Sequence, residues 1–229
     1  MQHGNVFVDH VFMLVDAGEV NSMVESLAQL RVEESSRRSH AGLGTSNIFF
    51  CFDNAFLEIL WIDDRKEAAQ SVLGRQLVAR LEGRGRGATP FGIGFRTRNP
   101  DDSLPFDTWN FLPPGASGLK PVAIARSSED PAQPLLFRAQ RVLRPDQWVD
   151  GKAGARQTQA GIAEMVALRF SSPKGRDCSA DLKRLRDLGL LSLGDGEDEA
   201  QMTLRASYAD GRPSFEIPLR RSLQREPRS

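Results

Sequence analysis

The sequence predicts an α+β fold in which a strand, a helix and three further strands follow one another in that order, twice along the chain. Three observations carry this. Runs of β-branched and aromatic residues bounded by Gly, Asn and Asp recur through most of the 229 residues. Between some of these runs, apolar residues fall three and four apart, the spacing of a helix that buries one face. Finally, like residues near the two ends of the chain recur at an almost constant offset, as a duplicated module requires.

The elements follow in order. Residues 6–15 read as a buried strand interrupted only by Asp9 and His10, and two polar residues inside it need an explanation. Asp16 is an N-cap, and Val20, Met23, Val24, Leu27 and Leu30 mark one helical face. Residues 31–39 are polar with room for a short strand, and residues 40–47 form a glycine-bearing loop. Strands at 48–52 and 56–62 join through Asp53-Asn54-Ala55, a tight hairpin connection. Ala69, Val72, Leu73, Leu77 and Leu81 make residues 67–82 a single helix, ended by Gly83-Arg84-Gly85-Arg86-Gly87. Without a strand before it or Lys-Ser/Thr after it, that glycine-arginine run reads as a flexible connection and not a nucleotide cradle.

Residues 91–97 are a compact strand, and 99–117 loop across the surface pinned by Phe106, Trp109 and Phe111. Strands are expected at 122–126 and 135–141, with a polar linker over 144–159. A strand at 162–170, a helix carrying Leu182, Leu185 and Leu188 and closed by Gly189, and a hairpin across Asp210-Gly211 complete the chain. The offset is 158 between Val24, Leu27, Leu30 and Leu182, Leu185, Leu188, and 158 again between Glu58 and Glu216. It is 154 between the first strands, which places His10 on Glu164. The resulting division is 1–66 as a first module, 67–159 as a connecting helix, extra strands and linker forming a partial module, 160–221 as a second module, and 222–229 as a frayed tail.

Composition narrows the function classes. Thirty basic and thirty acidic side chains cancel, so no overall field attracts nucleic acid or an anionic membrane. The apolar run at 11–15 is too short for a membrane span or a signal-peptide core, which leads us to expect a cytoplasmic protein. Cys51 reads as a small core residue and Cys178 as a partly exposed thiol; two cysteines make neither a disulfide framework nor a zinc cluster. With only three histidines, any imidazole-based site must use His10 or His40.

Three segments resemble the vicinal oxygen chelate superfamily, in particular its glyoxalase-like branch. They are Val8-Asp9-His10-Val11-Phe12, the loop His40-Ala-Gly-Leu-Gly44-Thr45-Ser-Asn47, and Asn54-Ala-Phe-Leu57-Glu58-Ile-Leu60. The resemblance is strong over residues 6–64 and only compatible beyond. It implies paired βαβββ modules whose curved, mostly antiparallel sheets enclose a pocket, with helices outside. It also implies a divalent metal that chelates vicinal oxygens of the substrate, held by residues on the first and last strands of each module. On that basis His10, Glu58, Glu164 and Glu216 are the expected ligands, and Glu58 or Glu216 the expected proton shuttle.

One imidazole and three carboxylates suit an oxygen-preferring ion such as magnesium or manganese, while iron and zinc are not distinguished from them. Without a cation the carboxylates repel, so at least one carboxyl pKa should rise or a nearby arginine, Arg138, Arg141 or Arg169, should neutralise the charge. His40 is read as either a donor to a substrate oxygen or a loop cap, Thr45 and Asn47 as loop-holding or substrate-binding, and Arg138 as substrate-binding. Expected partners are a small-molecule ligand and a second copy of the chain, with no nucleic acid and no membrane. Three functions follow: a metal-assisted lyase, isomerase or dioxygenase on a small vicinal-oxygen substrate, a metal-free protein that binds or sequesters a small molecule, or a scaffold for dimerisation with no chemistry. Fold analogy does not choose among them.

Overall fold

A computed structural model describes residues 1–114, 120–139 and 143–220. Arg141, the end of the 99–117 loop and the 222–229 tail lie outside these residues. After β1 (Gln2–His3) comes the long strand β2 (Val6–Val15), and a 3-10 turn begun at Asp16 leads into α1 (Val20–Gln29). β3 (Ser36–His40), β4 (Thr45–Cys51) and β5 (Phe56–Ile62) complete a strand–helix–three-strand unit. The expected single helix is two: α2 (Arg65–Ala69) and α3 (Val72–Glu82). Ser71 divides them by capping α3 through the Gly74 amide, and a Cβ on Gly74 would lie 2.0 Å from the Ala68 carbonyl, so the two helices meet at a bend that needs glycine.

β6 (Phe91–Thr97), β7 (Thr108–Phe111), β8 (Val122–Ala125) and β9 (Leu135–Arg138) follow. Trp109 and Phe111 thus belong to a strand that the Pro- and Asp-rich composition of their surroundings concealed. The last part holds β10 (Ile162–Ser171), α4 (Ala180–Asp187), β11 (Ser192–Leu193), β12 (Gln201–Tyr208) and β13 (Phe215–Leu219). Among the described residues no helix is long and apolar enough to cross a membrane.

The pairing explains the architecture. One nine-stranded sheet runs β3-β4-β5-β2-β6-β9-β8-β7, with β1 added on β2. Within it β2 lies parallel to β5 and β6 parallel to β9, while β2 and β6 meet antiparallel at the centre. Each half therefore has its first strand beside its last. The partner of the first module is residues 91–138, with the loop 98–107 where the first module has its helix.

This corrects the repeat read from the sequence. Of the expected second module, residues 160–220 do run strand–helix–three strands, but they form a separate four-stranded sheet ordered β11-β10-β12-β13. There β12 stands between the first and last strands, so they do not touch. The constant offset followed apolar positions, which report which face of an element is buried and not which strands pair.

One face of the large sheet carries Val11, Met13 and Val15 of β2, Leu57 and Ile59 of β5, and Ile93 and Phe95 of β6. It packs on α1 and on Met165, Leu168 and Phe170 of β10 and Leu182 and Leu185 of α4 in one continuous core. The opposite face presents Phe12, Leu14, Leu60 and Ile62 to Leu77 and Leu81 of α3. The strict alternation of the two sets is the pleat at work. The candidate site lies on this second face.

Candidate functional site

The two polar residues of β2 have a structural cause. The β2–β6 ladder shifts register between Val8 and His10, which pair with Phe95 and Gly94, so Asp9 is the extra residue of a β-bulge. Asp9 is buried, accepts from His10 Nδ1 at 2.8 Å, and faces Arg96 Nη1 at 3.4 Å. Arg96 also donates to the carbonyls of Val8 at 3.3 Å and Asn54 at 3.1 Å. Burial pulls the Arg96 guanidinium below its ordinary value, and Asp9 opposes that pull.

The His10 ring has little freedom. It stacks on Phe56 with centroids 4.3 Å apart and meets Phe137 edge-on at 5.1 Å. Beneath it lies Gly94, whose Cβ, were there one, would sit 2.6 Å from the ring. Gly92 makes the same room for Phe12, at 2.1 Å. The alternation in Phe91-Gly-Ile-Gly-Phe95 is therefore one face cleared for aromatic rings from the neighbouring strand and one face filled with core. Small residues every second position were the sequence signal for this, and Asp9, Arg96, Phe56, Phe137, Gly92 and Gly94 were missed as site-builders.

Glu58 enters from β5, and its Oε2 lies 3.7 Å from His10 Nε2. Its other oxygen accepts a short hydrogen bond from Asn47 Nδ2. Asn47 Nδ2 is also 3.4 Å from His40 Nε2, and His40 Nδ1 is 2.9 Å from Thr45 Oγ1. Burial is the main cause that lowers the His40 pKa below its ordinary value, so this ring is neutral and donates through Nδ1. One chain of contacts thus runs Asp9, His10, Glu58, Asn47, His40, Thr45. The glycines between His40 and Thr45 serve the turn: Gly42 and Gly44 have φ of +82° and +60°, and a Cβ on Gly44 would lie 2.2 Å from the Asp64 carbonyl.

These side chains line a cavity of about 740 Å³. Its polar end holds Asp9, His10, Asn47 and Glu58, and its remainder is walled by apolar residues that include Phe12, Leu60, Leu73, Leu77, Leu135 and Phe137. Both His10 and Glu58 keep a small exposed area, 8% and 7%. Arg138 lines the cavity too, but its Nη atoms donate to Thr97 Oγ1 at 2.6 Å and to the carbonyls of Pro100 and Asp102 at 3.2 and 2.5 Å. It buckles the 97–102 loop where a substrate-binding arginine was expected.

The expected metal set does not assemble. Glu164 is half-exposed in the second sheet and pairs with Arg144 at 2.9 Å. Glu216 is exposed on β13, opposite Arg205. Arg169, offered as a neutralising group, is exposed on β10. In the true second module, the positions that face the cavity on β6 and β9 are Gly92, Gly94, Leu135 and Phe137, none of which can ligate. Among the described residues no three His, Cys, Asp or Glu side chains are grouped to hold a metal. His10 and Glu58 supply two donors, and a divalent ion in an enzyme takes three or more protein ligands or phosphate-bearing substrate. The donor set does not fit a metal.

Residues 8–105 match the family model described as glyoxalase-like domain. No curated protein matches the chain. Among solved structures, a hypothetical protein from Staphylococcus aureus is similar at 11% identity and a TM-score of 0.47, over 93% of this chain and 85% of that one. Methylmalonyl-CoA epimerase from Streptomyces coelicolor, as a variant in complex with 2-nitronate-propionyl-CoA, is similar at 12% identity and a TM-score of 0.38, over 59% of this chain and 96% of that one. The family match starts at the first strand of the site and runs through β6, so the span that brings His10, Glu58 and Gly94 together is the part of the chain that is similar to a glyoxalase-like domain.

Proposed function

We propose that this chain binds a small amphipathic molecule in the cavity and exchanges a proton with its polar group through His10 and Glu58, without a metal ion. The observation that carries the reading is the 3.7 Å gap between His10 Nε2 and Glu58 Oε2 at the polar end of an otherwise apolar cavity. The Asp9 carboxylate accepts from Nδ1, so that nitrogen carries a proton and Nε2 is the ring nitrogen turned toward Glu58 and the cavity. Imidazole and carboxylate are then two adjacent proton-exchanging groups that one donor atom, seated to the side of the line between them, can reach together. A cavity of this size suits a ligand of drug-like dimensions.

Thermal melts of the purified protein test this against the metal-chelating reading. Arylalkyl compounds such as 4-phenylbutane derivatives should raise the melting temperature by linkage, and Leu77→Trp, which fills the apolar end, should remove the effect. Manganese, magnesium and zinc should leave the melt unchanged. A stabilisation by any of these ions that disappears in His10→Ala overturns the proposal.

A further inference from the structure

Among the described residues, the ring and amide donors at the polar end of the cavity are already committed, while several acceptors are not. His10 Nδ1 is committed to Asp9, and Asn47 Nδ2 to Glu58. His40 Nδ1 is committed to Thr45. What remains is Glu58 Oε2, His10 Nε2 and Asn47 Oδ1, the last buried without any hydrogen-bond partner. Asn47 is 1% exposed, so an unpaired carbonyl oxygen there is costly, about 1–3 kcal/mol, unless something donates to it. Turning the amide over does not help, because its oxygen would then face the Glu58 carboxylate.

Charge points the same way. Asp9 is neutralised by Arg96, but among the described residues Glu58 forms no ion pair with Lys or Arg. Of the two arginines that line the cavity, Arg38 is exposed on the edge strand β3 and Arg138 is spent on the 97–102 loop. Among the described residues, a carboxylate or phosphate at this end would face Glu58 and could meet an uncommitted guanidinium only at Arg38, on the exposed edge strand.

From this we infer that the ligand is an amphipathic amine: an ammonium head between Glu58 and His10 with an alkyl or aryl tail along Phe12, Leu60, Leu77 and Leu135. The inference rests on the cavity reading above and names the ligand class of the same site. One ammonium nitrogen sits about 2.9 Å from each of two acceptors that are 3.7 Å apart and donates to both. A hydroxyl has a single proton for the same two acceptors and brings no charge to Glu58. The apolar tail is recognised by burial alone, at roughly 0.8 kcal/mol for each methylene removed from water.

Calorimetric titration of the whole chain at neutral pH with 4-phenylbutylamine, 4-phenylbutan-1-ol and 4-phenylbutanoate separates the headgroups on one tail. The amine should bind about tenfold or more tighter than the alcohol, as a charge-assisted hydrogen bond implies, with the carboxylate weakest. Glu58→Gln should abolish the amine's advantage while the alcohol still binds. The three-headgroup series on the unaltered protein stands by itself if that variant does not fold. Equal binding of amine and alcohol, or tighter binding of the carboxylate, overturns the headgroup inference and leaves the cavity reading intact. Binding of none of the three overturns both.

Discussion

At the scale of single residues, what decides the chemistry is how few atoms of the site remain uncommitted. Asp9 exists in the site only because β2 carries a bulge, and the bulge turns a neighbour in sequence into a hydrogen-bonding partner of the His10 ring. His40 illustrates the reverse: half-buried against the loop, it is kept neutral and meets Thr45 and Asn47. This has a consequence with a definite sign. Burial lowers the folded pKa of His40 from its ordinary 6.5, so below that pH the unfolded chain gains a proton that the folded chain refuses. The stability associated with neutral His40 is fully present above pH 6.5 and is lost as pH falls from there toward the folded value. Urea melts at pH 7.5 and 5.5 should therefore show a smaller loss of stability in His40→Gln than in the parent chain; an equal loss would mean that His40 is not the group responsible.

At the scale of elements, the cavity owes its closed apolar end to α3, and α3 owes its position to a buried arginine. Arg80 is 1% exposed and donates from Nη2 to the carbonyls of Ser128 at 2.7 Å and Gln133 at 3.0 Å, which ties the helix to the turn between β8 and β9. Burial lowers its pKa to about 10, still well above neutrality, so it remains a charged donor in working conditions. Arg80→Leu keeps much of the volume but leaves two buried carbonyls without a donor, and it should cost about 2–4 kcal/mol in denaturant unfolding. A loss below 0.5 kcal/mol, within the range of ordinary surface changes, would show that α3 is held by its apolar face alone. The break between α2 and α3 belongs at this scale as well. The apolar period runs unbroken through 69–81, but Ser71 caps a new helix and Gly74 lets it fold back on Ala68, and neither effect shows in an apolar period.

At the scale of the molecule, the second sheet is a backing for the first and carries no part of the site. The hairpin between β4 and β5 reaches across to it: Asn54 Nδ2 donates to the Met165 carbonyl at 2.8 Å and Asn54 Oδ1 accepts from the Met165 amide at 2.9 Å, while the Asp53 amide donates to the Ala163 carbonyl at 2.8 Å. Asn54→Ala strips both bonds from the main chain of Met165 at the irregular part of β10 and should destabilise the chain by about 1–3 kcal/mol in urea, with binding at the cavity unchanged. Loss of binding at full stability would instead place Asn54 in the functional machinery. The sequence by itself determined the α+β class, most strands of the first module, α1 and the final hairpin across Gly211, and it singled out His10, His40, Thr45, Asn47 and Glu58, which line one cavity, because these depend on local periodicity, turn chemistry and a short recognisable motif. Only the tertiary structure decided which segment is the partner module. Strand order depends on pairing between residues far apart in the chain, and the apolar spacing that marks a buried face is the same whichever neighbour buries it. With that choice went the metal: Glu164 and Glu216 matched by position along the chain, but β6 and β9 turn Gly92, Gly94, Leu135 and Phe137 toward His10 and Glu58, and a cleared, apolar wall stands where two more ligands were expected.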